Sequence, residues 1–365
     1  MQRSRETDGC LGRRRERETA GRNPWLASFA GRGPWPSLYS CSGSTAGQDV
    51  HSFLATVKAI AAVEYDGIMP MNSKTTKPRT FHHEALAWRT AVQNNGGTVR
   101  PATLRAVSNF CVAINDAGIR DKFLRLNLVC GNNLAAAQTP LYRGASATGT
   151  QYGSTVDGNI GPFTSADFSD ATGITGNGIS KAFDTTLTLG TLKTAGLDHN
   201  HCHASVYTRG SNHGSVFGGG DSADFYGYSN FGILLDAGEN GWWSGDAFSG
   251  CNDNRRVAST DSSAGHKYGQ DYVGSMQYWT NGLNSSGGIN PGNSYGYNES
   301  DETPIYFCGR WESALDGESV PYPSPYYASG SLAAYSVGTP LGSETFIARF
   351  YKAMQAFQTA MRRNV

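Results

Sequence analysis

Three histidines at alternate positions are the first candidates for chemistry in this sequence. They lie in the run Asp198-His199-Asn200-His201-Cys202-His203. Side chains alternate along a β-strand, so His199, His201 and His203 would share one face. Imidazoles spaced in this way can ligate zinc, with a third ligand such as His213 or an aspartate supplied from elsewhere. The alternative is an exposed strand face that is rich in histidine.

Aromatic residues concentrated in the middle of the chain predict a carbohydrate site. Sugar rings present C–H faces that stack on flat aromatic rings, while carboxylates and amides bind sugar hydroxyls. The predicted ligand-binding residues are Trp242, Trp243, Asp246, Tyr226 and Tyr228. Adjacent tryptophans on a strand point to opposite faces, so the alternative places at least one of them in the core.

A third candidate is a cation site in the run Asn252-Asp253-Asn254. Side-chain oxygens such as that of Asp253 are the ligands that calcium prefers, although Asx-rich turns form without metal. The run Gly218-Gly219-Gly220 lacks the lysine that a phosphate-binding loop requires. We therefore expect no organic cofactor, and zinc or calcium stays an alternative.

The composition favours short strands joined by tight turns. Among 365 residues, 46 are glycine and only 16% are charged. Glycine serves turns, and aromatic residues favour strands. Thirty basic residues balance thirty acidic ones, which argues against a nucleic-acid partner. The sequence has no apolar run long enough for a membrane-spanning helix.

Helices are predicted before and after the strand-rich part of the chain. Residues 1–50 lack apolar periodicity and are expected to be a disordered tail or to lie outside the native product. A helical segment is predicted over 51–120, with a first helix at 51–65 and a hairpin formed by 81–95 and 101–118. The apolar stripe of 343–362 predicts a closing helix, with Arg362 and Arg363 complementing its dipole.

Residues 121–365 are predicted to form a β-sandwich ending in that closing helix. Leu124, Leu126 and Leu128 alternate and are expected to share one strand face. An Asn281-Gly282 pair predicts a tight hairpin. The Gly-rich stretch 209–300 is interpreted as long surface loops. Further strands are predicted around 181–189, 203–208, 231–236, 274–280, 304–311 and 331–337.

Several runs resemble structural proteins of tailed phages and prophages. They include Trp88-Arg89-Thr90-Ala91-Val92-Gln93-Asn94-Asn95-Gly96-Gly97, Leu124-Arg125-Leu126-Asn127-Leu128-Val129-Cys130-Gly131-Asn132-Asn133-Leu134 and Pro140-Leu141-Tyr142-Arg143-Gly144. The run Gly176-Asn177-Gly178-Ile179-Ser180-Lys181, followed by Asp184-Thr185, resembles a strand opening of laminin-G-like jelly rolls. Residues 334–360 are similar to the last strand and closing helix of the same group.

This resemblance implies a concanavalin A-like, laminin-G-like jelly-roll β-sandwich with an N-terminal helical hairpin and a C-terminal helix. It also implies a non-catalytic virion protein, associated with the tail, whose loops contact neighbouring subunits or a host-surface glycan. Its expected partners are other virion subunits, a surface glycan or further copies of itself. The alternatives are a carbohydrate-binding protein of the bacterial cell surface and a glycoside hydrolase.

The hydrolase alternative requires two converging carboxylates. Concanavalin-like hydrolases usually show an E-x-D-x-x-E motif, and retaining enzymes place their acid pair about 5–5.5 Å apart. The nearest run is Glu299-Ser300-Asp301-Glu302, but Pro304 occupies the position of the last acid. No catalytic residue is therefore predicted.

Overall fold

The computed structural model describes residues 80–197, 201–221, 230–235, 247–249, 256–259, 263–272, 275–290, 304–309, 311–313 and 327–365. Within them the helices are α1 His83–Asn94, α2 Pro101–Asp116, α3 Leu134–Ala137, α4 Leu189–Thr194 and α5 Glu344–Ala360. The strands are β1 Phe123–Asn127, β2 Gly158–Ile160, β3 Phe168–Ser169, β4 Gly173–Asn177, β5 Ala182–Thr188, β6 His201–Asp221, β7 Asn230–Leu235, β8 Ala247–Ser249, β9 Arg256–Ser259, β10 Gly265–Tyr272, β11 Ser275–Thr280, β12 Leu283–Asn284, β13 Ser286–Asn290, β14 Pro304–Phe307, β15 Trp311–Ser313 and β16 Ser329–Gly338.

The predicted helical hairpin is confirmed as α1 and α2. The ring of His82 caps α1 by accepting a hydrogen bond from the Glu84 backbone N–H. Pro101 stands at the first turn of α2, where a missing backbone N–H costs nothing. The helix predicted at 51–65 and the tail at 1–50 lie outside the described residues.

The strands form a mainly antiparallel β-sandwich. In sheet A the order is β12-β11-β10-β6-β16, with β1 and β4 both paired along the far side of β16 and β3 paired with β4. In sheet B, β6 pairs with β7, β8 and β9 follow, and β13 closes that side. On the other side of sheet B, β14 pairs with both β6 and β5, and β2 pairs with β5. Only β15 runs parallel to its partner among the described strands.

Strand β6 belongs to both sheets. Residues 201–209 pair with β10 and β16 in sheet A, and residues 214–220 pair with β7 in sheet B. Gly210 and Gly214 have φ values of 82° and 91° where the strand passes between the sheets. L-residues with side chains avoid this conformation, so glycine is favoured at the transition.

Two hydrophobic cores lie on opposite faces of sheet A. The sandwich core fills the space between the sheets and includes Val206, Phe217, Ile305 and Tyr335. The helical core lies on the other face of sheet A, and α1, α2 and α5 contribute to it. Neighbouring residues of β6 therefore enter different cores, which leaves this part of sheet A buried on both faces.

The structure corrects the interpretation of 209–300 as long surface loops. Strands β6 to β13 run through this stretch. Glycines there permit close strand approach, because a Cβ at Gly232 would lie 2.0 Å from the Phe217 carbonyl oxygen and one at Gly218 would lie 2.2 Å from that of Phe231. The Asn281-Gly282 hairpin is confirmed, since β11 and β12 pair on either side of it.

A second correction concerns β1. A register shift between Phe123 and Arg125 interrupts its pairing with β16, and a bulge of this kind changes the face to which later residues point. Leu124 therefore joins the sandwich core, whereas Leu126 and Leu128 join the helical core. The prediction that all three leucines share one face is wrong.

The closing helix is confirmed as α5, and Ser343 caps it by accepting from the Phe346 N–H. Arg363 follows it and is fully buried, and its guanidinium is directed to carbonyl oxygens outside α5 and not to the end of the helix. Its guanidinium donates to the carbonyl oxygens of Val129, Leu128 and Ala333 at 2.9, 2.6 and 3.1 Å. These bonds attach the chain after α5 to the segment following β1 and to β16.

Two further features of the described residues are the buried cysteines and the lengths of the helices. Cys111, Cys130, Cys202 and Cys308 are buried and form no disulfide bond, so they pack as small apolar residues. The described helices include none that is long and apolar enough to cross a bilayer.

Candidate functional site

The predicted carbohydrate-binding residues Trp242, Trp243, Asp246, Tyr226 and Tyr228 lie outside the described residues. So do His199 and Asp253 from the predicted metal sites.

The described strands nevertheless show where the connections carrying these residues leave sheet B. Tyr226 and Tyr228 belong to the connection from β6 to β7, whereas Trp242, Trp243 and Asp246 belong to that from β7 to β8. Because β6, β7 and β8 are consecutive antiparallel neighbours, these two connections start at opposite ends of the sheet.

His203 lies in the helical core and uses both ring nitrogens within the protein. Its Nδ1 is 2.7 Å from the Thr339 carbonyl oxygen, and its Nε2 is 3.1 Å from the Ser336 hydroxyl. The ring stacks on Tyr268 with centroids 5.3 Å apart. Burial lowers the pKa of His203 to about 4, so the ring is neutral at pH 7.

These contacts correct the proposed metal role of His203. A metal-bound imidazole needs one free lone pair, and both His203 nitrogens are engaged by protein groups. His201 is exposed at the start of β6. His201 and His203 are alternate residues of the same strand, but His201 is exposed and His203 is buried.

A second group with metal-binding residue types lies at the start of α1. Potential ligand atoms of His82, His83 and Glu84 lie within 4.8 Å of one another. However, Arg120 Nε donates to Glu84 Oε1 at 2.6 Å, and the N-terminus of a helix disfavours a cation. Burial and the neighbouring His83 both lower the pKa of His82. The group is best explained as a helix cap joined to a buried ion pair.

The outer face of sheet B carries a cluster that the sequence did not single out. We call it the Asp184 patch, and it consists of Ser154, Asp184, Thr186, Tyr306 and Tyr327. Asp184 and Tyr306 are directly opposed on β5 and β14, while Tyr306 and Tyr327 pack together with Ala182. Burial raises the pKa of Asp184, and the nearby Asp157 raises it further.

Backbone strain accompanies the patch. Thr186 has a φ of 57°, a conformation that β-branched residues rarely adopt. The Asp184 carboxylate stabilises this bend by accepting from the Thr186 N–H at 2.7 Å. The Thr186 hydroxyl accepts in turn from the Ser154 N–H at 2.6 Å. Such strain recurs at functional sites, where the surrounding structure maintains it.

A buried ion pair supports the patch from inside the sandwich. Arg125 and Asp157 are fully buried, with Arg125 Nη2 donating to Asp157 Oδ1 at 2.7 Å. Tyr335 and Asn127 also donate to this carboxylate, at 2.9 and 2.8 Å. The Arg125 guanidinium further donates to the carbonyl oxygens of Tyr152 and Ser154 at 3.0 and 3.1 Å. This network holds the segment that brings Ser154 to the patch.

The two carboxylates of this region differ in the hydrogen bonds that they already accept. Both oxygens of Asp157 accept hydrogen bonds, from Arg125, Asn127 and Tyr335. A hydrolase needs a second carboxylate that can reach a water or a sugar. Asp184 stays partly exposed and can accept hydrogen bonds from hydroxyl groups.

No protein-family profile and no curated protein matches the sequence. Among solved structures, the chain is similar to domain 4 of AbnA, a GH43 extracellular arabinanase from Geobacillus stearothermophilus, in complex with arabinotriose. That alignment has 11% identity and a TM-score of 0.29, and it covers 47% of this chain and 75% of the other. The Trypanosoma rangeli sialidase in complex with the inhibitor DANA aligns at 9% identity and a TM-score of 0.24, over 49% of this chain and 28% of that one. These scores are too low to support a conclusion about this protein.

Proposed function

We propose that this protein is a non-catalytic structural and recognition component whose sheet B side contacts a glycan or a neighbouring subunit. The observation that carries the proposal is the unequal covering of the two sheets. Three helices close the outer face of sheet A, whereas none of the described helices joins the tyrosine cluster on sheet B. The partly exposed Asp184 therefore lies on the side left for a partner.

We propose that the protein is part of the tail of a phage or prophage virion. This setting rests on the sequence runs that resemble phage structural proteins, and a laminin-G-like jelly-roll arrangement of the sandwich belongs to the same proposal. Either a virion or an extracellular cell surface would present sheet B to glycans. A free carbohydrate-binding protein of the cell surface is the alternative setting for the same binding chemistry.

A glycan-array assay on the full chain, with and without EDTA, tests the binding proposal. We expect binding that Asp184→Asn weakens, because the amide loses the charge that accepts strong hydrogen bonds. Asp116→Asn is the matched control, since Asp116 is exposed on α2 at the helical side. Loss of binding in EDTA would instead assign recognition to a metal.

The separate strand connections give a second readout. Trp242→Ala and Trp243→Ala test the predicted tryptophan pair, and Tyr226→Ala with Tyr228→Ala tests the predicted tyrosine pair. Binding that depends on only one pair would identify the pair that contacts the sugar. Absence of binding to every glycan would reject the glycan half of the proposal and leave protein subunits as the partner, which co-purification from assembled particles would then test.

A further inference from the structure

We propose that His266 is an acid-sensitive element beneath α5, so that protonating its ring releases this helix from sheet A. This inference concerns the helical side of the protein and is independent of the binding function proposed for sheet B.

The geometry around His266 is unusual for an ionisable side chain. The ring is 1% exposed on β10, and its Nε2 has no hydrogen-bond partner in the described part of the protein. Its backbone is fixed, because the His266 N–H donates to Asn281 Oδ1 at 2.9 Å and the Asn281 N–H donates to the His266 carbonyl oxygen at 2.8 Å. A proton on this ring would add a charge that the site does not solvate.

The aromatic contacts of the His266 ring indicate that α5 is the element that protonation would displace. The Phe350 ring meets His266 edge-on with centroids 4.8 Å apart, and Tyr351 stacks on it at 6.3 Å. Both residues belong to α5. The strands around His266 are joined by continuous backbone ladders, whereas this part of α5 is held to the ring by aromatic packing. Displacing α5 is therefore the least costly way to bring water to the imidazole.

The titratable groups facing His266 do not offer a counter-charge. They are Tyr268 on β10, His203 and Tyr207 on β6, and Tyr351 on α5. The cations beside Phe350 and Tyr351 are directed elsewhere, since Arg349 approaches the Ala117 carbonyl oxygen and Lys352 is exposed. Among the described residues, none of the groups that contact the ring is a carboxylate.

The direction of the effect follows from the linkage of protonation to opening. Burial, with a smaller contribution from His203, lowers the pKa of His266 from 6.5 to about 3. The closed state is therefore favoured above pH 6.5, and it loses stability as the pH falls below that value. In this range one additional proton is bound on opening, which raises the opening equilibrium constant about tenfold per pH unit.

Hydrogen exchange of the full chain, measured by peptide at pH 7.5, 6 and 5 and corrected for intrinsic rates, tests the proposal. We expect α5 to lose protection with falling pH while β5 and β14 stay protected. His266→Phe should reduce the pH dependence of α5 opening by about tenfold per pH unit, because phenylalanine fills an apolar site without titrating. His83→Gln, which alters an exposed histidine on α1, should behave as the unchanged protein.

Two results would overturn the inference. One is an unchanged pH dependence in His266→Phe, and the other is simultaneous loss of protection in α5, β5 and β14, which would indicate global unfolding. If His266→Phe does not fold at pH 7.5, imidazole ¹⁵N NMR of the unchanged protein decides the question. A His266 imidazole that stays neutral until α5 opens supports the inference, whereas an imidazole that titrates while α5 is still protected rejects it.

Discussion

The two sheets of the sandwich differ in what covers their outer faces. On sheet A, α1, α2 and α5 build a large second core, and polar side chains such as His203 are engaged within it. On sheet B, the described outer cluster consists of Ala182, Tyr306 and Tyr327, next to the partly exposed Asp184. The difference places a second core over sheet A and leaves the partly exposed Asp184 near the surface of sheet B, where we propose that recognition occurs.

The largest expected effect comes from breaking the ion pair between the two sheets. Arg125→Met leaves Asp157 buried without its cation and should lower the free energy of unfolding by about 3–5 kcal/mol. Urea unfolding measures the change. Lys122→Met is the control, because Lys122 and Asp121 form a partly exposed surface pair at 3.8 Å and such pairs contribute less than about 1 kcal/mol. Equal losses in both variants would contradict the central role of the buried pair.

Removing the buried cation of the helical side should have the next largest effect. Arg363→Met leaves the Leu128, Val129 and Ala333 carbonyl oxygens without their donor, at a cost of about 2–3 kcal/mol in unfolding free energy. The adjacent Arg362 is exposed, so Arg362→Met should change stability by less than about 0.5 kcal/mol. Thermal unfolding of the two variants side by side tests this, and a loss shared by both would point to the chain end in general.

Acid should weaken the helical side through His203 as well. The pKa of His203 is lowered by burial to about 4, so the unfolded chain binds a proton at a higher pH than the folded protein does. Stability is then highest above pH 6.5 and falls by about 2 kcal/mol between pH 7 and pH 5 from this residue. His203→Gln should flatten that part of the stability profile by the same amount. An unchanged profile would show that His203 is solvated in the folded protein.

The smallest effect on stability is expected at the patch on sheet B. Asp184→Asn keeps the acceptor for the Thr186 N–H, so the free energy of unfolding should change by less than about 1 kcal/mol. Binding is expected to weaken in the same variant. A large loss of stability would make Asp184 a structural residue and remove the contrast between the two sheets.

Local patterns in the sequence predicted the elements whose burial is one-sided. Pro101 and the apolar stripe that follows it indicated α2, and Asn281-Gly282 indicated the hairpin between β11 and β12. These signals are local, because helix ends and tight turns depend on neighbouring residues. The same reasoning found α5 with its bounds displaced by two residues or fewer.

Elements buried on both faces could not be predicted in the same way. Arg125 and His203 appear as polar positions of alternating strands, which suggests exposure, yet both are fully buried. Arg125 lies inside the sandwich with Asp157 and Tyr335, and His203 lies beneath the layer that the helices add to sheet A. Asp184 and Tyr306 are 122 residues apart in the chain, and no spacing rule indicates that they meet. A signal was present in the arginine at 125, since a cation amid apolar residues requires an acid, but the sequence does not specify Asp157 as that acid.

The continuity of β6 has a mechanical consequence. A pull on the end of β6 at Asp221 passes along one covalent backbone from sheet B into sheet A. There the force is shared by the hydrogen-bond ladders to β10 and β16, which lie on either side of the strand. These ladders are loaded in shear along their whole length. A force applied on the sheet B side would therefore act on the most extensively paired of the described strands.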